Sequence, residues 1–400
     1  MGRSAPFDRL ASLPWLALRG LGPLLEPALD QVLRGESAER VLDRFLRAHK
    51  DFTAEQRTVS AESLFGVGLW RRRLALGLER PTALVLLARL VRDLAGVQDD
   101  VLGVAAPASP EPTSLADAWS LPDWLANALT EALPAGELEA CARTLNAPGP
   151  ICLRANLERV SRPALQQALA VEGITTSPSA LTEAGLLVQS PARPNLLGTA
   201  ASRDGLFEVQ DEGSQCLGEL LPRSGDVLDL CAGAGGKSLQ LAARGATVHA
   251  CDVDLARLER LRRRAEHART SRIRIVGAAP RAGSTFPAVL VDAPCSELGA
   301  LRRGPDLRFR LTPDDFARFP ALQQELLERA LRHLQPGGLL VYATCTFRRE
   351  ENEAVAEAFE RAHPRLERTP PTLAGPDGFL RLWPHRQGTD GFFAACWRAP

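Results

Sequence analysis

From about Gly205 to the end of the chain, short apolar runs alternate with longer amphipathic stretches. The apolar runs have the length and β-branched content of strands, and they lie at 227–231, 247–252, 272–276, 288–292 and 339–344. Helical periodicity begins near Lys237, Leu255, Thr312 and Arg349. Strands that alternate with helices are typical of a doubly wound parallel sheet. Two later apolar runs, 379–383 and 391–397, have no convincing helix between them, which predicts an antiparallel pair at one edge.

The first hundred residues instead repeat apolar positions at spacings of three and four, the period of a helix. Ser37 and the run Thr53-Ala-Glu-Gln56 are typical N-caps of two of these helices. Strand-like runs return at 151–156 and 186–188, between further helical stretches. We therefore predict an all-α domain at 1–104, a Pro-rich linker or exposed loop at 105–119, a helical plus small α+β region at 120–204, and a mostly parallel α/β domain at 205–400.

The composition is that of a soluble globular protein, with 45% hydrophobic and 24% charged residues. No apolar run reaches the roughly 18 residues of a membrane span. The first ten residues lack the architecture of a signal peptide, so we expect a cytoplasmic protein. The eight cysteines are scattered singly, without the spacing of a zinc site or of a disulfide framework. Because the net charge is zero, any basic surface must be local.

The run Asp229-Leu-Cys-Ala-Gly-Ala-Gly-Gly-Lys-Ser238 predicts a strand, a glycine-rich turn and a helix. Its glycines let the backbone approach a ligand closely, and the start of the helix offers unpaired N–H groups. The run is neither a Walker A loop nor a G-x-G-x-x-G fingerprint, which disfavours nucleoside triphosphates and dehydrogenase cofactors. Asp252 ends the next strand, where an acid typically accepts ribose hydroxyls. Together with the Asp-Ala-Pro-Cys run described next, these features indicate S-adenosylmethionine (SAM).

Two thiols follow strands of the predicted sheet, at the carboxyl ends where open α/β sheets bind their ligands. Cys295 comes shortly after Asp292, and Cys345 directly follows the run 339–344. A pyrimidine is too weak a nucleophile at C5 to accept a methyl group, but addition of a thiolate to C6 activates it. Asp292 at the N3 edge of the ring would stabilise the charge that this addition creates. The residues alone leave open which of the two thiols attacks.

An arginine-rich segment follows the first thiol loop and contains Arg302, Arg303, Arg308 and Arg310, with Phe309 among them. Guanidinium groups beside an aromatic ring suit phosphate contacts and base stacking, so we expect this segment to contact nucleic acid. Two other arginine-rich stretches, 71–73 and 257–274, are each either a solvated helix face or a further nucleic-acid contact.

These motifs resemble those of the RNA cytosine-C5 methyltransferases of the Nop/Sun family, in particular its bacterial branch that acts on small-subunit rRNA. The likeness rests on Asp229-x-Cys-Ala-(x-x)-Gly-Gly-Lys237, Asp292-Ala-Pro-Cys-Ser296, Tyr342-Ala-Thr-Cys-Thr346 and Glu350-Glu-Asn352. It extends to the runs 210–215 and 384–393, and upstream to 120–125 and 153–156. At the N-terminal helices, where the family carries a NusB-like RNA-binding domain, only the helical pattern matches.

The resemblance implies a Rossmann-like class I SAM-dependent methyltransferase core, with SAM as cofactor and RNA, above all rRNA, as partner. It implies that Cys345 attacks the base and that Cys295 assists breakdown of the adduct, while Asp292 holds the base and Lys237 lies in the active site. The cofactor site is expected to comprise Cys231, Ala232, Gly233, Ala234, Gly235, Gly236, Lys237, Asp252, Arg257 and Asp292. We expect a monomer that uses no metal and engages no membrane.

The chain departs from the family pattern at four places. Gly233-Ala234 replaces Ala-Pro in the turn, no acid stands at 277–280, Glu297 replaces a small residue after Pro-Cys-Ser, and Phe309 replaces a tryptophan. Beside rRNA methylation, two alternatives stay open: a tRNA cytosine-C5 methyltransferase, and an RNA-binding ribosome-assembly factor with impaired catalysis. The missing acid favours the second alternative. A DNA methyltransferase is disfavoured, because that group commonly uses the Pro-Cys thiol without a paired Thr-Cys.

Overall fold

The computed structural model describes residues 6–189, 194–309 and 311–400, which form two compact units. The helical unit comprises Met1–Pro148 with Leu301–Asp315, and the sheet unit comprises Gly149–Ala300 with Phe316–Pro400. Over the described ranges, no helix is both long and apolar enough to cross a membrane.

The helical unit confirms the predicted all-α region. Its helices are α1 (Pro6–Ala11), α2 (Gly22–Leu33), α3 (Ala38–Ala48), α4 (Ala54–Ala75), α5 (Ala83–Arg89), α6 (Leu115–Ala118), α7 (Asp123–Ala132) and α8 (Leu138–Leu145). Apolar residues at helical spacing are buried, as in α2, where Leu25 and Leu29 are fully covered. Thr53 and Gln56 form the capping box expected at the start of α4, whereas Ser37 makes no side-chain cap to α3.

The arginines at 71–73 make internal contacts, which corrects both expectations for them. Arg72 donates to Asp117 at 2.8 Å and to Asp123 at 2.6 Å, and Arg73 donates to a backbone carbonyl of α6 at 2.7 Å. The guanidinium of Arg71 lies 3.8 Å from the centroid of the Phe309 ring. These side chains hold α4 against its neighbours within the helical unit.

The Pro-rich stretch predicted as a linker or exposed loop is fastened to the helical unit. Arg89 donates to the carbonyl of Pro107 at 2.9 Å, and Arg92 donates to that of Ala106 at 2.5 Å. The Ser109 hydroxyl donates to Asp93 at 2.6 Å. Hydrogen bonds from arginines to otherwise unpaired carbonyls explain why a segment without regular structure has a defined path.

A small antiparallel sheet opens the sheet unit, with strands β1 (Cys152–Ala155), β2 (Thr176–Pro178), β3 (Gly185–Val188) and β4 (Phe207–Val209) in the order β2-β3-β1-β4. Helix α9 (Arg162–Val171) begins at Ser161, whose side chain caps it as the sequence predicts. The predicted domain boundary after residue 204 falls inside this sheet, because β4 pairs with β1. The helices between residues 120 and 148 lie in the helical unit instead of this region.

The large sheet confirms the predicted doubly wound core. Its strands are β5 (Asp226–Asp229), β6 (Thr247–Cys251), β7 (Ile273–Gly277), β8 (Phe286–Asp292), β9 (Leu334–Thr344), β10 (Glu367–Arg368), β11 (Leu380–Leu382) and β12 (Phe392–Arg398). Their order is β10-β12-β9-β8-β5-β6-β7, with β11 paired to β12. The strands from β5 to β9 pair in parallel, and β12 pairs antiparallel with β9 and β11, as predicted for the edge. The two-residue strand β10 was not predicted.

Helix α10 (Ala200–Arg203) packs against the small sheet. The other helices after it are α11 (Glu212–Glu219), α12 (Gly236–Arg244), α13 (Leu255–Ala268), α14 (Pro313–Phe316), α15 (Phe319–Leu331), α16 (Glu353–Ala362) and α17 (Pro384–Gln387). The central strands are apolar throughout because both of their faces are buried, with Val289, Leu290 and Val341 fully covered.

The contact between Gly205 and α13 gives a stability prediction. Gly205 has φ +64°, and a Cβ there would lie 2.1 Å from the carbonyl oxygen of His267. Gly173 has φ +78°, but a Cβ there would meet no atom within 4 Å. Gly173→Ala should therefore cost about 1 kcal/mol for its left-handed backbone alone. Gly205→Ala should cost roughly 1–3 kcal/mol more, because the added methyl group must displace backbone.

Urea unfolding of the two variants measures both free energies. Equal losses for Gly205→Ala and Gly173→Ala would contradict the close approach of Gly205 to α13.

Candidate active site

The two thiols predicted to act together are in direct contact. Asp292 at the end of β8 pairs in register with Ala343 of β9, so the loops that follow the two strands start side by side. The Sγ atoms of Cys295 and Cys345 are 3.4 Å apart, within hydrogen-bonding distance for sulfur. Cys295 is buried and Cys345 is partly exposed, so Cys345 is the more accessible of the pair.

The surroundings of Cys345 favour the neutral thiol. The hydrogen bond with Cys295 and burial of the side chain hold the pKa of Cys345 well above its usual range, with smaller contributions from Asp292 and Glu297. A proton must therefore leave Cys345 before it can act as a nucleophile. Glu297, one of these neighbours, has a left-handed backbone with φ 57°, a conformation that is uncommon for a residue with a side chain.

A partly buried ion pair lies beside the thiols. Lys237, on the first turn of α12, places Nζ 2.6 Å from Oδ2 of Asp292. Burial lowers the pKa of Lys237, but the Asp292 carboxylate outweighs this effect and the pKa is raised above its usual value. The ammonium group therefore stays charged, and it interacts electrostatically with Cys345. The predicted catalytic residues Cys345, Cys295, Asp292 and Lys237 thus lie together.

The glycine-rich turn between β5 and α12 is open on one side. Gly233 has φ +55°, and a Cβ there would meet no atom within 4 Å. Gly235 has φ +89°, and a Cβ there would lie 2.1 Å from Cδ1 of Leu261 in α13. Only glycine allows both the backbone conformation and this close packing. Asp252, at the end of β6, accepts a hydrogen bond from the Gly233 N–H at 2.8 Å.

This arrangement fits SAM. A glycine turn at a helix N-terminus, with an acid at the end of the next strand, offers N–H donors and a hydroxyl acceptor at the carboxyl edge of the sheet. The residues from Cys231 to Lys237 and Asp252 lie together as predicted, and Asp292 joins them through Lys237. Arg257 lies on the first turn of α13, where it pairs with Asp254 at 3.5 Å and its side chain is half exposed.

Asp229, at the end of β5, links the glycine-rich turn and α12 to the sheet through a hydrogen bond. It accepts a hydrogen bond from the hydroxyl of Ser238 in α12 at 2.6 Å. Burial raises the pKa of Asp229 to about 7, against the opposing effect of Ser238. The sequence motif contained this acid, but its burial under the turn could not be read from the motif.

A buried polar cluster, formed by Ser296, Gln323, Thr346, Glu351 and Asn352, holds both thiol loops. Oε2 of Glu351 accepts from the Ser296 N–H at 2.9 Å and from Gln323 at 3.2 Å. The Ser296 and Thr346 hydroxyls are 2.8 Å apart, and Asn352 donates to the Thr346 carbonyl at 3.0 Å. The neighbours of each cysteine are thus fixed by one network. Sequence reasoning had assigned no role to Glu351 or Asn352, although both stood in a recognised motif.

The structure corrects the expectation for Arg308 and for one face of Phe309 in the segment after the first thiol loop. Arg308 is fully buried in the helical unit, where it donates to Oδ1 of Asn146 at 2.5 Å and to the Leu145 carbonyl at 3.1 Å. Burial lowers its pKa to about 9. Arg308 therefore stabilises the helical unit and is not free to bind a phosphate. Arg71 covers one face of the Phe309 ring, so that face cannot stack on a base.

Of the other arginines in that segment, Arg302 is also buried, at 5% exposure, and Arg303 is exposed. Arg310 lies outside the described residues.

Replacement of Glu351 tests whether the cluster holds the thiol loops. Glu351→Leu removes the acceptor of two buried donors and should cost about 1–3 kcal/mol of unfolding free energy. Glu351→Gln keeps a carbonyl oxygen at that position. Burial raises the pKa of Glu351, so its ionised form costs stability as the pH rises above the ordinary carboxyl range. The free energy of unfolding of Glu351→Gln should therefore increase relative to that of the wild type as the pH rises.

Chemical denaturation between pH 5 and pH 8 measures this comparison, with Glu350→Gln at the half-exposed neighbouring position as control. Leu and Gln variants of equal stability would show that Glu351 does not serve as the acceptor.

Comparison with known proteins identifies the family. The family described as 16S rRNA methyltransferase RsmB/F matches residues 219–398, and an RsmF/B-like ferredoxin-like domain matches residues 121–194. Ribosomal RNA small subunit methyltransferase B of Vibrio cholerae is 35% identical over 287 residues, which cover 68% of this chain and 64% of that protein. A protein of Bacillus subtilis described as probable ribosomal RNA small subunit methyltransferase B is 33% identical over 310 residues, which cover 71% of this chain and 67% of that protein.

Among solved structures, a methyltransferase homolog protein from Pyrococcus horikoshii aligns with a TM-score of 0.63 at 25% identity. The alignment covers 72% of this chain and all of that chain. The sequence matches to the Vibrio cholerae and Bacillus subtilis proteins span about two thirds of the length of each of those proteins. The chain belongs to the RsmB/F family of methyltransferases, and its large sheet has the fold of the class I SAM-dependent methyltransferases.

Proposed function

We propose that this chain is a SAM-dependent RNA methyltransferase that acts on C5 of a cytosine in small-subunit rRNA. Membership of the RsmB/F family supports the RNA substrate and the cofactor. The single observation that carries the cytosine-C5 chemistry is the pair of thiols, whose sulfur atoms are 3.4 Å apart at the carboxyl edge of the sheet. One thiol suffices for attack, so a second thiol in contact with it needs a separate role.

The first step is attack of Cys345 on C6 of the base. The thiol must lose its proton, and the ammonium group of Lys237 nearby stabilises the thiolate. A C6–S bond forms, the C5–C6 double bond opens and the electron pair moves to C5 and the N3 edge. Asp292, which lies 2.6 Å from Nζ of Lys237, would hold that edge. Bound at the glycine turn, SAM supplies the methyl group that C5 then accepts.

The second step is release of Cys345. A base removes the C5 proton, the C5–C6 double bond re-forms, and the C6–S bond breaks with its electron pair on sulfur. Cys295 is the only group described in hydrogen-bonding contact with that sulfur, over the residues that the structure covers. A hydrogen bond from Cys295 would stabilise the leaving thiolate. The contact between the two sulfurs is symmetric, so the assignment of release to Cys295 and of attack to Cys345 follows from the family resemblance.

Two cysteine variants test these roles. With substrate RNA and SAM, Cys345→Ala should abolish methylation and form no covalent complex, because the attacking sulfur is missing. Cys295→Ala should accumulate a protein–RNA adduct, because attack proceeds while release is slow. Denaturing gel electrophoresis detects the adduct, and Cys396→Ala, at a buried cysteine of β12, serves as control. Turnover at the wild-type rate by Cys295→Ala, with trapped RNA on Cys345→Ala, would reverse the assignment.

The RNA substrate is tested separately from the chemistry. Bisulfite sequencing of RNA from a strain that lacks this protein should show loss of one 5-methylcytosine in small-subunit rRNA and none in tRNA. Loss of a tRNA methylation alone would support the tRNA alternative.

The segment after β7 favours one rival, an assembly factor with impaired catalysis, because residues 277–280 offer no acid beside the cofactor site. Unchanged methylation of both rRNA and tRNA in the same strain would favour that rival.

A further inference from the structure

Two arginines from outside the glycine-rich turn hold its backbone. Arg154, on β1 of the small sheet, donates from Nη1 to the carbonyl of Gly236 at 2.8 Å. Arg264, on α13, donates from Nη1 to the carbonyl of Ala234 at 2.6 Å. The two carbonyls flank Gly235, so the turn is held on both sides of one of its two left-handed glycines.

The small sheet supplies most of this support. Glu208, on β4, accepts from Nη2 of Arg264 at 2.8 Å, and β4 pairs directly with β1, the strand of Arg154. Gln210, which follows β4, accepts a second hydrogen bond from Arg154. Asn156, also at the end of β1, donates to the carbonyl of Ala268 at 3.0 Å and so caps the end of α13. Within the motif at 153–156, Arg154 thus contacts the glycine-rich turn and Asn156 contacts the end of α13.

Holding the Gly236 carbonyl fixes a donor that can face a ligand, whereas the N–H in the same peptide unit as the Ala234 carbonyl, that of Gly235, already donates to the carbonyl of Ala232 at 2.9 Å. In a peptide unit the C=O and N–H point in opposite directions, so a fixed Gly236 carbonyl also orients the N–H of Lys237. A turn rich in glycine loses more conformational freedom on ordering than any other turn. Without an external partner, binding of a ligand would have to supply that ordering itself.

Arg154 is a buried cation. It is only 3% exposed, and burial lowers its pKa to about 10. A buried guanidinium is often replaced by an apolar side chain of similar size without loss of stability. The hydrogen bonds of Arg154 to the turn and to Gln210 offset the cost of its burial and also fix the backbone that they contact.

We propose that Arg154 and Arg264 are positioning residues for the cofactor, and that the small sheet, through Arg154 and Glu208, braces the SAM turn. This inference rests on the proposed function, since it takes SAM as the ligand of the turn. Neither arginine acts on the methyl group; each sets the backbone that binds the cofactor.

The test measures SAM binding and stability on the same variants of the full chain. Isothermal titration with SAM and with S-adenosylhomocysteine should show affinity lowered about tenfold or more in Arg154→Met, because a charge-assisted hydrogen bond to the turn is lost. The thermal midpoint should fall, because the Gly236 carbonyl and Gln210 lose a buried donor, so affinity is compared well below that midpoint. Arg154→Lys, which can still reach a carbonyl, should recover part of the affinity.

Two further variants keep the test decisive if Arg154→Met does not fold. Arg264→Gln, at a side chain that is one-third exposed, should also weaken SAM binding. Arg162→Met is the matched control, because Arg162 donates to the carbonyls of Ser179 and Thr182 in the same part of the chain. In steady-state assays, the KM for SAM should rise in the Arg154 and Arg264 variants while the KM for RNA stays unchanged.

The outcomes separate the two proposals. If the wild type binds SAM and the Arg154 and Arg264 variants bind it equally well, the positioning role of the two arginines is overturned and the proposed function stands. If the wild type binds no SAM, both are overturned. An equal loss of affinity in Arg162→Met would overturn the brace as well, since it would show a general effect of the small sheet.

Discussion

The parallel pairing of β8 with β9 is the constraint on which the candidate active site depends. Both strands are buried on both faces, so their register is held by packing as well as by hydrogen bonds. That register sets Asp292 opposite Ala343 and starts two loops from the same edge of the sheet. A shift by one residue would turn Cys345 to the other face of β9. The contact between two thiols 50 positions apart in sequence is therefore a consequence of the core.

Buried polar side chains hold the two loops that carry Cys295 and Cys345 in one conformation. Glu351, Gln323 and Asn352 are buried and hydrogen-bonded to the residues that flank each cysteine. Such a network favours one arrangement, because most alternatives would leave further buried polar groups unpaired beside Oε1 of Glu351 and Oε1 of Gln323, which already lack a hydrogen-bond partner among the described residues. Arg154 and Arg264 act in the same way on the glycine turn. One side of the site thus holds the cofactor turn, and the other holds the two thiols.

Much of this organisation could be predicted from the sequence. The strands of the large sheet follow from apolar runs of strand length, and the cofactor turn follows from glycines between a strand and a helix. The role of Arg308 could not be predicted, because the local sequence of a basic run does not show whether an arginine contacts a phosphate or a buried carbonyl. The pairing of β4 with β1 could not be predicted either, since it joins segments about fifty residues apart and crosses the predicted boundary after residue 204. The choice of Cys345 as nucleophile came from family resemblance and not from residue spacing.

The central claim is that Cys345 bonds to the base while Cys295 does not, and the attachment site can be measured directly. RNA with 5-fluorocytidine at the target position cannot lose a proton from C5 after methyl transfer, so the covalent intermediate is retained. Incubation of the wild-type protein with this RNA and SAM, followed by proteolysis and mass spectrometry, locates the modified cysteine. The account predicts a methylated fluorocytidine on the peptide that contains Cys345. Attachment to the peptide that contains Cys295 would contradict it.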